Sequence, residues 1–129
     1  MEPVAFHFDN VHAGLSQCAG LLHLTREGMI VEFRTDLGGL GLKSSAKETS
    51  LQYEEIRRIE FRKGFFGASA KVIPSRLKVL ERFPGAKEDC VMFRFKRRDR
   101  TAAEYLISEL NLRLSQKRLG EAGEGLEGV

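Results

Sequence analysis

The stretch TDLGGLGLKSSAKETS, residues 35–50, gathers the residue types that bind phosphate. Glycines let backbone amides approach an anion, and a lysine and serines can complete the cradle. A phosphate-binding loop, however, needs a glycine directly before its Lys-Ser pair, where the backbone wraps the phosphate. Leu42 stands there, before Lys43 and Ser44. The dinucleotide fingerprint G-x-G-x-x-G fails too, because Gly39 and Gly41 are followed by Leu42, Lys43 and Ser44. Both motifs also open a helix, whereas the residues that follow here read as a strand. The stretch is therefore a long connection between strands, with Lys43, Ser44, Ser45 and Lys47 as candidate anion contacts.

Catalytic chemistry finds less. Ser16, His23 and Asp36 are the types of a nucleophile, a base and an orienting acid, but no G-x-S-x-G or comparable motif accompanies them. Glu54 and Glu55 are adjacent, so in a strand they point to opposite faces and cannot work as a pair. The two cysteines, Cys18 and Cys90, form no CxxC, and His7, His12 and His23 lack ligand-like spacing. The expectation is no enzyme, no metal and no cofactor, with two reduced thiols in a cytosolic protein.

Binding chemistry is better represented. RRIEFRK (57–63) holds four basic residues and one acid, and RFKRRDR (94–100) holds five and one. The formal net charge is only +3, so the rest of the chain is net acidic and the positive charge is concentrated. If Arg58, Arg62, Arg94, Lys96 and Arg98 share an outer face, they form a patch that attracts acidic lipid or an acidic protein. The plainer alternative is a solvated face whose arginines pair with Glu32, Glu54 and Glu60. Between the two basic segments lies KGFFGAS. Phe65 and Phe66 beside Lys63 could wedge into a bilayer or join two copies of the chain. The weighted expectation is that at least one ring folds into the core, since fully exposed phenylalanine is uncommon. Nucleic acid is disfavoured, because the phenylalanines of FRFKRRDR fall on the core-facing register.

These groups need elements to hold them. Val4, Phe6 and Phe8 alternate as in a half-buried strand. Leu22 and Leu24, the turn REG, and Met29, Val31 and Phe33 make a hairpin with Glu32 and Arg34 on the wet face, and Gly28 is expected at positive φ. A short strand near Thr49 leads to another in which Ile59 and Phe61 alternate with Arg58, Glu60 and Arg62. GFFG is a turn before a strand ending at Pro74. SRLKVLERF reads as extended, with Leu77 and Val79 on one face. In CVMFRFKRR, Val91, Phe93 and Phe95 point in and Met92, Arg94 and Lys96 out. The period then changes: Ala103, Leu106, Ile107, Leu110 and Leu114 form one stripe of an amphipathic helix, predicted over about 102–117. Thr101 and Glu104 have capping-box spacing, with Asp99 a competing N-cap. Residues 118–129 are glycine-rich and aperiodic, and are expected to be a disordered tail after a single domain over 1–117.

The order of strands followed by one closing helix resembles the pleckstrin-homology-like (PH-like) superfold, and within it the GRAM and bacterial PH domains. The resemblance rests on GLLHLTREGMIVEF, on LQYEEIRRIEFRKGFFG and on CVMFRFKRRDRTAAEYLISEL. It implies a mainly β fold, a barrel of six to seven antiparallel strands capped by a C-terminal α-helix. It also implies a binding module rather than chemistry. The partner would be anionic lipid or an acidic protein surface, met through the loops 38–47 and 64–67 and the basic face. Self-assembly into a homo-oligomer is the alternative. No apolar run is long enough to span a bilayer and no signal peptide is read at the N-terminus, which points to a cytoplasmic protein with at most peripheral membrane contact.

Overall fold

The computed structural model describes residues 2–11, 16–37, 42–43, 46–84 and 86–127, and describes side chains for 2–8, 18–34, 46–84 and 86–120. Eight strands precede one helix. They are β1 (Val4–Val11), β2 (Ser16–Leu24), β3 (Gly28–Leu37), β4 (Leu42–Lys43), β5 (Lys47–Gln52), β6 (Ile56–Lys63), β7 (Gly67–Pro74) and β8 (Val91–Lys96), then α1 (Arg100–Glu127). The pairing is antiparallel throughout. Across the sheet the order is β5-β3-β2-β1-β8-β7-β6, with β4 also pairing β3. The chain is thus mainly β with one C-terminal helix, as the alternation and the final change of period predict. Closure into a barrel is not found: among the described residues β5 and β6, the two ends of this path, do not pair with each other. They are instead consecutive in the chain and joined by a single 3-10 turn, Tyr53–Glu55.

Alternation builds the core. Val91, Phe93 and Phe95 are buried on β8, and Ala68, Ala70 and Val72 face them from β7. Phe6, Phe8, Phe33, Phe83 and Phe93 meet edge to face or tilted, with ring centroids 5.0–6.5 Å apart. The predicted helical stripe of Ala103, Leu106, Ile107, Leu110 and Leu114 is buried without exception and belongs to the same cluster. One face of the curled sheet and one face of α1 therefore enclose a single core.

Four local expectations are corrected. Leu77–Arg82 is a 3-10 helix, not a strand. After Pro74 the chain leaves the ladder, because Ser75 donates its amide to the Glu55 carbonyl (2.8 Å) and its hydroxyl to the Glu54 carbonyl (2.7 Å). Val79 and Phe83 then reach the core while Leu77 stays outside. Gly28 does not take a positive φ; it is needed because a Cβ there would lie 1.9 Å from the Leu51 carbonyl oxygen on β5. The β2–β3 turn is closed by Thr25, whose hydroxyl accepts the Gly28 amide at 3.1 Å. Third, α1 begins before Thr101, so the capping box does not form, and Glu104 reaches Lys63 at 3.0 Å. Finally, α1 runs past residue 117 into the segment set apart as a tail, whose side chains beyond residue 120 lie outside the described residues.

Candidate functional site

The β6–β7 hairpin is as tight as a hairpin can be. The Gly64 amide donates to the Gly67 carbonyl at 2.7 Å, leaving Phe65 and Phe66 as the two turn residues. Gly67 is required where β7 meets β8, since a Cβ would sit 2.3 Å from the Phe95 carbonyl oxygen. Residues at the corner of a two-residue turn project away from the sheet. Phe65 is accordingly 70% exposed and Phe66 86% exposed, with centroids 5.0 Å apart in a T-shaped pair. The expected folding of one ring into the core is therefore wrong: the turn has no inward-facing position to offer.

Cations surround this tip. The Arg97 guanidinium lies 5.0 Å from the Phe65 ring centroid, a cation–π contact. Arg100 donates to the Gly64 carbonyl at 2.8 Å, tying the turn to the start of α1. Lys63 pairs with Glu104. Lys96 lies directly across from Gly67, and Arg98 is exposed with a long 3.9 Å approach to Asp99. Arg97 and Arg100 escape a reading by alternation, because the 3-10 turn Arg97–Asp99 rotates the backbone between β8 and α1. Their membership in the RFKRRDR run is the available signal.

The outer basic face extends from the tip. Strand register lines up Arg62, Ser69, Arg94, His7, Ala19 and Arg34 in one row across β6, β7, β8, β1, β2 and β3. Arg58 shares the outer register of β6 but pairs with Glu60 at 3.1 Å. Of the residues singled out from sequence, Arg62, Lys63, Phe65, Phe66, Lys96 and Arg98 gather at or next to the tip, and Arg58 and Arg94 continue the face. Lys47 is not among them. It lies on β5, at the opposite end of the strand path, and pairs across from buried Phe33, on the other face of the sheet. The Lys43 backbone pairs with Asp36 on β3, and its side chain lies outside the described residues, as do Ser44, Ser45 and most of the glycine stretch.

A second polar cluster joins the ends of the strand path. Glu55 accepts from the Gln52 amide (3.1 Å) and takes a bidentate contact from Arg82 (3.0 and 2.7 Å). The Arg82 hydrogen bonds hold the Glu55 carboxyl below its ordinary pKa and raise that of the guanidinium. Glu54 turns the other way and pairs with Lys117 on α1, which lowers its pKa as well. The Tyr53 hydroxyl donates to the Thr25 carbonyl (2.6 Å), which Arg113 also reaches (2.9 Å) while pairing with Glu109 (3.0 Å). These groups are committed to one another, so the cluster is a joint between strands and helix. Cys18 and Cys90 are separate buried thiols, and burial pushes the Cys90 thiol up. Among the described residues no helix is long and apolar enough to cross a membrane, and no His, Cys, Asp or Glu group could hold a metal ion. No family model, curated protein or solved structure matches the chain.

Proposed function

We propose that the chain is a non-catalytic binding module of PH-like construction that docks on an anionic membrane surface. The strand path curled about one core, with a C-terminal helix covering it, supports the PH-like reading. The observation that carries the docking reading is the pair of exposed phenylalanines at a hairpin tip ringed by cations. Magnitudes say why both are needed. A basic residue near an anionic bilayer contributes on the order of 1 kcal/mol. Lys63 and Arg100 have internal partners and Arg98 lies 3.9 Å from Asp99, so Arg62, Lys96 and Arg97 remain in full, which gives an affinity weaker than about millimolar. Burying a phenyl ring adds about 1.5–3 kcal/mol, so two rings bring the total into the micromolar range.

Co-sedimentation with phosphatidylserine-containing and with neutral vesicles, at low and high salt, tests this. Binding is expected to anionic vesicles only and to fall steeply with salt. Phe65→Ser/Phe66→Ser should weaken it at least tenfold with no loss of folding stability, and Arg97→Glu should weaken it as well. Absence of binding to every vesicle would sink the membrane reading and turn attention to an acidic protein surface, for which the same tip has the right charge.

A further inference from the structure

Ser69 sits in a notch of the outer basic face. It points outward from β7, because its neighbours Ala68 and Ala70 are buried. The register sets Arg62 of β6 on one side of it and Arg94 of β8 on the other. Paired strands lie about 4.8 Å apart, so the two arginines are anchored about 10 Å from each other with one small side chain between them. The next outward position of β7 is Gly67, which has no side chain and lies opposite Lys96. Gly67 and Ser69 thus floor a short trough, walled by Arg62 on one strand and by Arg94 and Lys96 on the other. The phenylalanine turn stands at one end. At the other, Lys71 lies opposite Glu60, the one acid on β6, β7 and β8, which pairs with Arg58. Among the described residues Arg62, Lys96 and the Ser69 hydroxyl take part in no ion pair or side-chain hydrogen bond.

We infer that this trough binds a phosphomonoester. Arg62 and Arg94 close on the phosphate from either side, Lys96 adds a third charge and the Ser69 hydroxyl donates from the floor. A guanidinium presents two parallel N–H groups to phosphate oxygens, so two of them on opposite walls suit a tetrahedral oxyanion better than a planar carboxylate. Charge selects the monoester. It carries about −1.5 to −2 near neutral pH, whereas a phosphodiester carries a single charge and has a second ester group to accommodate. The source of the phosphate rests on the docking reading of the tip, and depth favours a lipid headgroup. Ser69 lies two residues, about 7 Å, along β7 from the turn. The headgroup layer of one leaflet is about 5–8 Å deep. With Phe65 and Phe66 at the edge of the hydrocarbon, the trough is level with the headgroup phosphates.

Two measurements on the full chain test it. Vesicles containing phosphatidic acid, a monoester, are compared with phosphatidylserine vesicles of equal surface charge, and inorganic phosphate is titrated into the free protein while backbone amides are followed by NMR. Phosphatidic acid vesicles should bind about tenfold more tightly. Ser69→Asp places a carboxylate on the floor of the trough and should erase that preference; Ser69→Ala, a mild change at an outward site, should reduce it. Arg62→Lys with Arg94→Lys keeps the charge but removes both forks, and should bring the ratio of the two affinities close to one. Inorganic phosphate should shift the amides of Arg62, Ser69 and Arg94 and leave those of β5 in place. Phosphate shifts at the trough without binding to any vesicle would sink the docking reading and assign the site to soluble phosphomonoesters. Vesicle binding with no preference for phosphatidic acid, or with a preference that Ser69→Asp leaves intact, overturns the inference and leaves the docking reading standing. A chain that answers to neither vesicles nor phosphate overturns both.

Discussion

At the scale of single residues, position in the local backbone decides what a side chain does. Glu54 and Glu55 are neighbours of one type, yet one pairs with the helix at Lys117 and the other with Arg82. A 3-10 turn separates them, not the pleat of a strand. Glu55 is the one with energetic consequence, because its carboxylate is largely buried and takes both Arg82 nitrogens. Glu55→Gln keeps the shape and removes the charge. Arg82 is partly exposed, so water recovers some of the loss, and the expected destabilisation is about 1–2 kcal/mol by urea titration. The pH dependence follows from the sign of the shift. The folded Glu55 pKa lies below its ordinary value of 4.5, so its contribution is fully present above that value and is lost as pH falls through the folded pKa. Stability measured between neutral pH and pH 3 should therefore fall less steeply in Glu55→Gln than in the wild type. Parallel curves would mean that Arg82 does not hold the carboxylate in solution. This clamp was not legible in the sequence, since Glu55 and Arg82 meet only because the chain leaves the sheet after Pro74.

At the scale of elements, periodicity was the most informative feature where one face is buried and the other wet. It located the β2–β3 hairpin, the in–out order of β8 and the buried stripe of α1, because burial imposes a period of two on a strand and 3.6 on a helix. It misread Leu77 and Val79, where two residues apart on a 3-10 turn imitates alternation. It also passed over the exposed row of Tyr105, Leu112 and Leu119, since the stronger inward stripe accounts for the helix by itself. The phenylalanine tip was visible as composition, but its exposure was not. That depends on the Gly64–Gly67 hydrogen bond, which shortens the turn to two residues. The two faces of α1 should answer differently to truncation. Leu110 is fully buried, and Leu110→Ala should lower the stability of the folded unit by about 2–5 kcal/mol. Leu112→Ala, two residues on, removes the same atoms from the outer face. It should cost less than about 0.5 kcal/mol, as for surface positions generally. Equal losses at the two sites would show that the outer face is buried within the single chain.

At the scale of the molecule, the open strand path raises the question of what keeps its ends together. β5 and β6 do not pair, so no ladder of hydrogen bonds locks them. Three things do so instead. Residues 53–55 link them covalently, Arg82 bridges the Ser50 carbonyl and Glu55, and Arg113 ties Tyr53 and the β2–β3 turn to the helix. Tyr53 and Ile56 belong to the same buried cluster as Phe93 and Leu110, so the joint and the centre share one core. A single core implies a single cooperative transition. The chain has two tyrosines and no tryptophan, and Tyr105 is on the exposed face of α1. Tyr105→Phe therefore leaves Tyr53 as the one phenolic reporter, placed at the joint itself. Its fluorescence and the far-ultraviolet circular dichroism should give the same midpoint on heating, at every protein concentration. A Tyr53 transition at lower temperature than the loss of secondary structure would mean that the two ends of the sheet part before the core melts. The joint would then be a gate between β5 and β6 rather than a fixed seam, and the cluster around Glu55 and Arg82 would be its latch.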